Sequence, residues 1–154
     1  MSNAELVEVE YTFDVPVPPK EAFALISDPR QERVWRAICV EVTPLDEVPR
    51  VGSQYEIVFE MFGKRMEFTV QIEEFEPGRS SKFRTLRGSF QYFGAYDYAA
   101  HENGTTSVRS TLNVIPGDYF GIMSHNLIYK MLVESIKQDS AKLAARLGTK
   151  APTT

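Results

Sequence analysis

The chain has 154 residues, 43% hydrophobic and 25% charged, enough for one domain to remove roughly 68–70% of its unfolded surface from water around a single core. Its formal charge of −4 comes without any run of Lys or Arg, which argues against nucleic acid and anionic membrane surfaces as partners. No apolar run is long enough to span a bilayer, Glu5, Glu8 and Glu10 stand where a secretory signal would be basic and then apolar, and a lone Cys39 excludes an internal disulfide, so the expected location is cytoplasmic.

Val7, Val9, Tyr11, Phe13 and Val15 alternate with polar residues, which predicts a half-buried strand over 7–15. Pro18-Pro19 ahead of KEAFALIS opens a short helix, because proline suits the first helical turn. Asp28, followed by Pro29 and Gln31, caps a second short helix that ends near Trp35, the only tryptophan. Strand patterns then run to Ile115 without another helix. Ile38, Val40 and Val42 face one way, with Cys39 and Glu41 on the other side. Tyr55, Ile57, Phe59 and Met61 share a face, Gly63-Lys64 reads as a hairpin turn, and Met66, Phe68, Val70 and Ile72 point inward on the return. Pro77-Gly78 suits a type II turn. Strands follow around 83–86 and 90–100, Asn103-Gly104 turns the chain, and a last strand over 105–115 places Val108, Ser110, Leu112 and Val114 inward.

After Pro116-Gly117 the pattern predicts one helix over 118–147, capped by Asp118 and stopped by Gly148. At ~1.5 Å per residue it would be ~45 Å long. Residues 1–148 thus form a single domain and 149–154 a loose tail. An antiparallel meander has one apolar face to cover, and this helix must cover it. Its stripe runs through Ile122, His125, Tyr129 and Leu132, then Ile136, Ser140, Leu143 and Leu147. His125 and Tyr129 take places where Leu or Ile would be expected. On the facing sheet, Phe90, Tyr92, Tyr96 and Tyr98 share a face, with Gly94 marking a bend. Several buried hydroxyls are more easily accommodated by a cavity than by a solid core. On the far side of the helix Phe120, Met123, Leu127 and Met131 form a second stripe, to be covered by the chain's own loops or by a second copy in a homodimer.

The order of strand, two short helices, meander and long C-terminal helix resembles the helix-grip superfamily. That superfamily includes START domains, birch-pollen-allergen-like proteins and polyketide cyclase/dehydrases (the SRPBCC group). The resemblance is carried by 14-DVPVPPKEAFALISDP-29, Trp35, Val51-Gly52, the Glu76-Pro77-Gly78-Arg79 turn and 103-NGTT-106. It implies an α+β fold in which a curved antiparallel sheet of about seven strands wraps around the long helix, leaving an internal cavity plugged at one end by the short helices. Trp35 would anchor the second short helix there or touch the ligand.

Neither a nucleophile elbow, a phosphate-binding glycine loop nor a dinucleotide fingerprint is present. His101 and His125 lack neighbours at metal-ligand spacing, so no metal and no cofactor is expected. The leading expectation is binding of a small hydrophobic, aromatic or polyketide-like metabolite. Its candidate wall comprises Trp35, Tyr55 and Phe59 with Phe68 and Phe83 on the neighbouring strands. Tyr92, Tyr96, Tyr98 and Ser110 continue the sheet side, and Ile122, His125 and Tyr129 complete it from the helix. The alternative is a cyclase or dehydratase using His125 with Tyr129 or another tyrosine as acid and base. Aromatase members of the resembled family carry an arginine in the cavity; strand alternation with Phe83 turns Arg84 outward, so none is placed there. A third reading is a protein-interaction module using the Phe120/Met131 stripe.

Overall fold

The structure, a computed structural model, describes residues 6–61 and 63–149; the tail expected at 149–154 lies, apart from Thr149, outside the described residues. The elements are β1 (Val7–Val15), α1 (Pro19–Ile26), a 3-10 turn (Pro29–Gln31) running into α2 (Glu32–Trp35), β2 (Cys39–Pro44), β3 (Gln54–Met61), β4 (Lys64–Glu76), β5 (Ser80–Gly88), β6 (Gln91–Ala100), β7 (Thr106–Ile115) and α3 (His125–Thr149).

All seven strands join one antiparallel sheet in the order β1-β7-β6-β5-β4-β3-β2. Two strands consecutive in the chain, β1 and β2, are therefore its opposite edges. The connection between them must cross from edge to edge, and α1 and α2 lie on that crossing. Curvature has identifiable sources. The β4/β5 register slips between Thr69 and Val70 and again between Ile72 and Glu74, and such bulges bend a strand and increase its twist. A further slip in β2 pairs Cys39 with Phe59 but Glu41 with Val58. The unpaired Val40 breaks the expected alternation, so Cys39 turns inward and is buried.

Gly94 does not mark a bulge, since β6 and β7 stay in register through it. It makes room: a Cβ at this position would come within 2.7 Å of the Phe83 ring and 2.3 Å of the Thr111 carbonyl oxygen. Phe83, opposite Gly94 on β5, thus lies across the bare backbone of β6.

The final helix differs from expectation at its start. Residues 117–122 form turns, with Gly121 at φ +63, a conformation that no helix can include and that glycine adopts without penalty. Ser124 provides the cap in place of Asp118, its Oγ accepting from the Leu127 N–H at 3.1 Å while its carbonyl accepts from Ile128 at 3.0 Å. α3 packs along β1 and touches α2. Ile128, Leu143 and Leu147 are its most deeply buried apolar residues.

Candidate functional site

Between the concave face of the sheet and α3 lies a cavity of about 110 Å³, counting only positions that the centre of a water molecule can reach. One water needs roughly 10–15 Å³ on that measure, so the space suits several waters or one small organic molecule. Toward the loop before α3 the wall is apolar, with Phe59, Met66, Phe90, Phe120, Ile128 and Met131. Phe90 packs on Tyr119 and Phe120 with ring centroids 5.3 and 5.1 Å away.

The end closed by α1 and α2 is different. Here Arg36, Glu32, Tyr96 and Asp139 all reach the wall. Glu32 and Arg36 are one helical turn apart, and Arg36 Nε donates to Glu32 Oε1 at 2.7 Å. Arg36 Nη2 donates to Tyr96 Oη at 3.0 Å, and the guanidinium lies 4.5 Å from the centroid of the Trp35 ring. Trp35 is itself pinned, because its indole N–H donates to the Leu25 carbonyl at 3.0 Å and so ties α2 to α1. Asp139 arrives from α3, accepting at Oδ1 from the Ala37 N–H at 3.0 Å. Burial opposes the charge on Arg36, yet Tyr96, Glu32 and Asp139 outweigh it and hold its pKa well above the ordinary arginine value. Burial raises the pKa of Asp139, offset in part by the Ala37 N–H and Arg36.

The buried tyrosines fall into two kinds. Tyr98 and Ser81 both hydrogen-bond Ser27 Oγ at 2.6 Å, and Tyr96 accepts from Arg36. Tyr55 and Tyr92 are 5% and 8% exposed, stand on the cavity wall, and their hydroxyls have no hydrogen-bond partner among the described residues. Desolvation drives the pKa of both well above the ordinary phenol value, so both stay neutral O–H groups. Cys39 is pushed up to about 11, chiefly by burial, which leaves an unreactive thiol.

Of the residues expected on the wall, Trp35, Tyr55, Phe59, Phe83, Tyr92, Tyr96 and Ser110 do line the cavity. Phe68 and Tyr98 are buried but stand behind that wall; Phe68 packs on Phe59 and Tyr92, with centroids 5.7 and 5.0 Å away. The expected helix contribution is displaced. Ile122 is fully exposed, Tyr129 is 42% exposed, and His125 is exposed as well. None of the three lines the cavity, because the helix begins only at His125 and its first inward position is Ile128. The second stripe also resolves differently: Phe120 and Met131 line the cavity, Met123 packs against the core, and Leu127 is left exposed.

Sequence reasoning missed Arg36, Glu32 and Asp139. Two signals were available. Glu32 and Arg36 have i,i+4 spacing beside the tryptophan, and Asp139 lies three residues after Ile136 and four before Leu143, inside the apolar stripe. Strand alternation places no arginine in the cavity; Arg36, the residue just after α2, stands on its wall.

The family model described as "Polyketide cyclase / dehydrase and lipid transport" matches residues 7–148. The chain belongs to this family. Its fold is the helix-grip fold, seen also in solved structures of low sequence identity. A START superfamily protein from Mycobacterium smegmatis superposes with TM-score 0.80 at 14% identity, covering 94% of this chain and 99% of that one. The protein TTHA0849 from Thermus thermophilus gives 0.77 at 18% identity over 94% and 99%. The Zhui aromatase/cyclase from a Streptomyces species gives 0.70 at 18% identity over 94% and 93%. A search of curated protein sequences gave no match. Among the described residues no helix is long and apolar enough to cross a membrane.

Proposed function

We propose that this member of the polyketide cyclase/dehydrase and lipid transport family holds a small, largely apolar, ring-bearing metabolite inside the sheet, and that it does so in the cytoplasm. The observation that carries this reading is the interior cavity of about 110 Å³ between the sheet and α3. Protein interiors are close-packed, and a mostly apolar pocket with a few converging polar groups is the usual form of a small-molecule site. Native mass spectrometry of gently purified protein should show an added small molecule. Ile136→Trp, which fills the space from α3, should lose it. A wild-type protein that carries nothing and takes up no uncharged aromatic compound would defeat the proposal.

A second reading, a cyclase or dehydratase, is favoured by the Arg36, Tyr96 and Asp139 constellation. In it Asp139 takes a proton from an activated carbon while Arg36 and Tyr96 hold the enolate oxygen. The carbon then attacks a carbonyl of the same chain, and the proton returns to the new alkoxide. His125 and Tyr129, outside the cavity, take no part. A linear poly-β-ketone thioester should be converted to a cyclised product, roughly 10²-fold or more slowly by Asp139→Asn; unchanged turnover in that variant would remove Asp139 from the mechanism.

A further inference from the structure

The polar end of the cavity has a charge balance that follows from its hydrogen bonds. Among the described residues, Arg36 is the only cation whose charged group reaches the wall there. Lys82 touches the lining, but its side chain is largely exposed and its ammonium sits 3.9 Å from Glu74 Oε1, and Lys142, which acts on Asp139, is exposed on α3. The Arg36 charge is already matched by Glu32 at 2.7 Å. Asp139 adds a second carboxylate to the same wall. The sum over the three groups is therefore −1 with Asp139 ionised and zero with it protonated, and in neither state is it positive. An incoming anion would lose its hydration and meet no uncompensated cation.

The same wall is well supplied with neutral hydrogen-bonding groups. The hydroxyls of Tyr55 and Tyr92 lack partners among the described residues, and a buried hydroxyl left unpaired is unfavourable until something satisfies it. Arg36 Nη1 likewise makes no bond to a described residue, so it can donate to an oxygen without becoming that oxygen's counter-ion.

We propose that the cavity selects an uncharged ligand, an apolar ring system whose carbonyl or phenolic oxygens bond to Arg36 and to the Tyr55 and Tyr92 hydroxyls, and that it rejects carboxylates of the same size. This deepens the binding reading and rests on it. Calorimetric titration of the full chain at neutral pH with 2-naphthol and 2-naphthoate compares one ring system in two charge states. Wild type should bind 2-naphthol at least about tenfold more tightly, well below the several kcal/mol that a buried unpaired charge can cost. Glu32→Gln, which keeps an oxygen for the Arg36 Nε, should raise 2-naphthoate affinity by about tenfold while leaving 2-naphthol within about threefold. Asp139→Asn should move 2-naphthoate the same way and serves if the first variant fails to fold. Equal or tighter binding of 2-naphthoate by wild type would overturn the selectivity while sustaining the binding reading. A 2-naphthol preference unchanged in both variants would overturn the electrostatic origin. If neither compound binds wild type, this proposal fails, while the binding reading stands or falls on the native mass spectrum.

Discussion

The two ends of the cavity are built in different ways. At the α1/α2 end, positions are fixed by directional bonds: indole to carbonyl, guanidinium to carboxylate and phenol, carboxylate to the Ala37 N–H. At the loop end, contacts among Phe90, Tyr119 and Phe120 do the holding, and neighbouring Ile122 is left wholly in solvent. Aromatic contacts are non-directional by comparison and tolerate rearrangement, whereas a hydrogen-bonded charge pair tolerates little. The contrast assigns geometric definition to the helix-plugged end and adaptability to the loop end.

The largest expected effect comes from cutting the rigid end. Trp35, 2% exposed, joins α1 to α2, and Trp35→Ala should cost about 3–5 kcal/mol. The matching cut at the loop end, Phe120→Ala, should cost less, about 1–2 kcal/mol, because that ring is only half-buried and its loss opens an existing space. Urea unfolding of both variants checks the order, and the reverse order would erase the contrast.

A finer comparison uses two tyrosines of β6. Tyr98→Phe removes a partner from Ser27 and should destabilise by about 1–2 kcal/mol. Tyr92→Phe removes a hydroxyl with no described partner and should be neutral or slightly stabilising, within about 0.5 kcal/mol. Matched denaturant curves would show it; equal losses would mean that Tyr92 is bonded in the free protein.

The smallest expected effect concerns pH. Asp139 has a folded-state pKa above its ordinary value of 3.8 because of burial, so between those two values the native state binds more protons than the unfolded state. Stability from this group is present at low pH and falls as pH rises through that window. Asp139→Asn should flatten that part of the Tm-against-pH curve relative to wild type. A parallel pair of curves would show that Asp139 is hydrated like a surface carboxylate.

Much of this molecule is legible in one dimension. Period-two alternation gave the inward faces of β1, β3, β4 and β7, and the turns at Pro77-Gly78 and after Asn103 follow from the chemistry of those residues. It gave the tyrosine wall as well, since residues on one face of a strand remain neighbours wherever that strand goes. The start of α3 was less legible, although the signals were local: Gly121 inside the supposed helix and Ser124 as a better cap than Asp118.

What tertiary structure alone decided is the polar cluster. Glu32, Arg36, Tyr96 and Asp139 come from a short helix, the residue just after it, a strand and the far half of the last helix. Helical spacing relates Glu32 to Arg36, but no periodicity relates that pair to Tyr96 or Asp139. They meet because β1 and β2 occupy opposite sheet edges, so the chain must carry α2 across the mouth of the curved sheet to where α3 passes. Sequence determines which face of each element is apolar, because that depends on neighbours a few residues away. Which charged groups share a cavity depends on strand order and curvature, and those are set by pairings between distant parts of the chain.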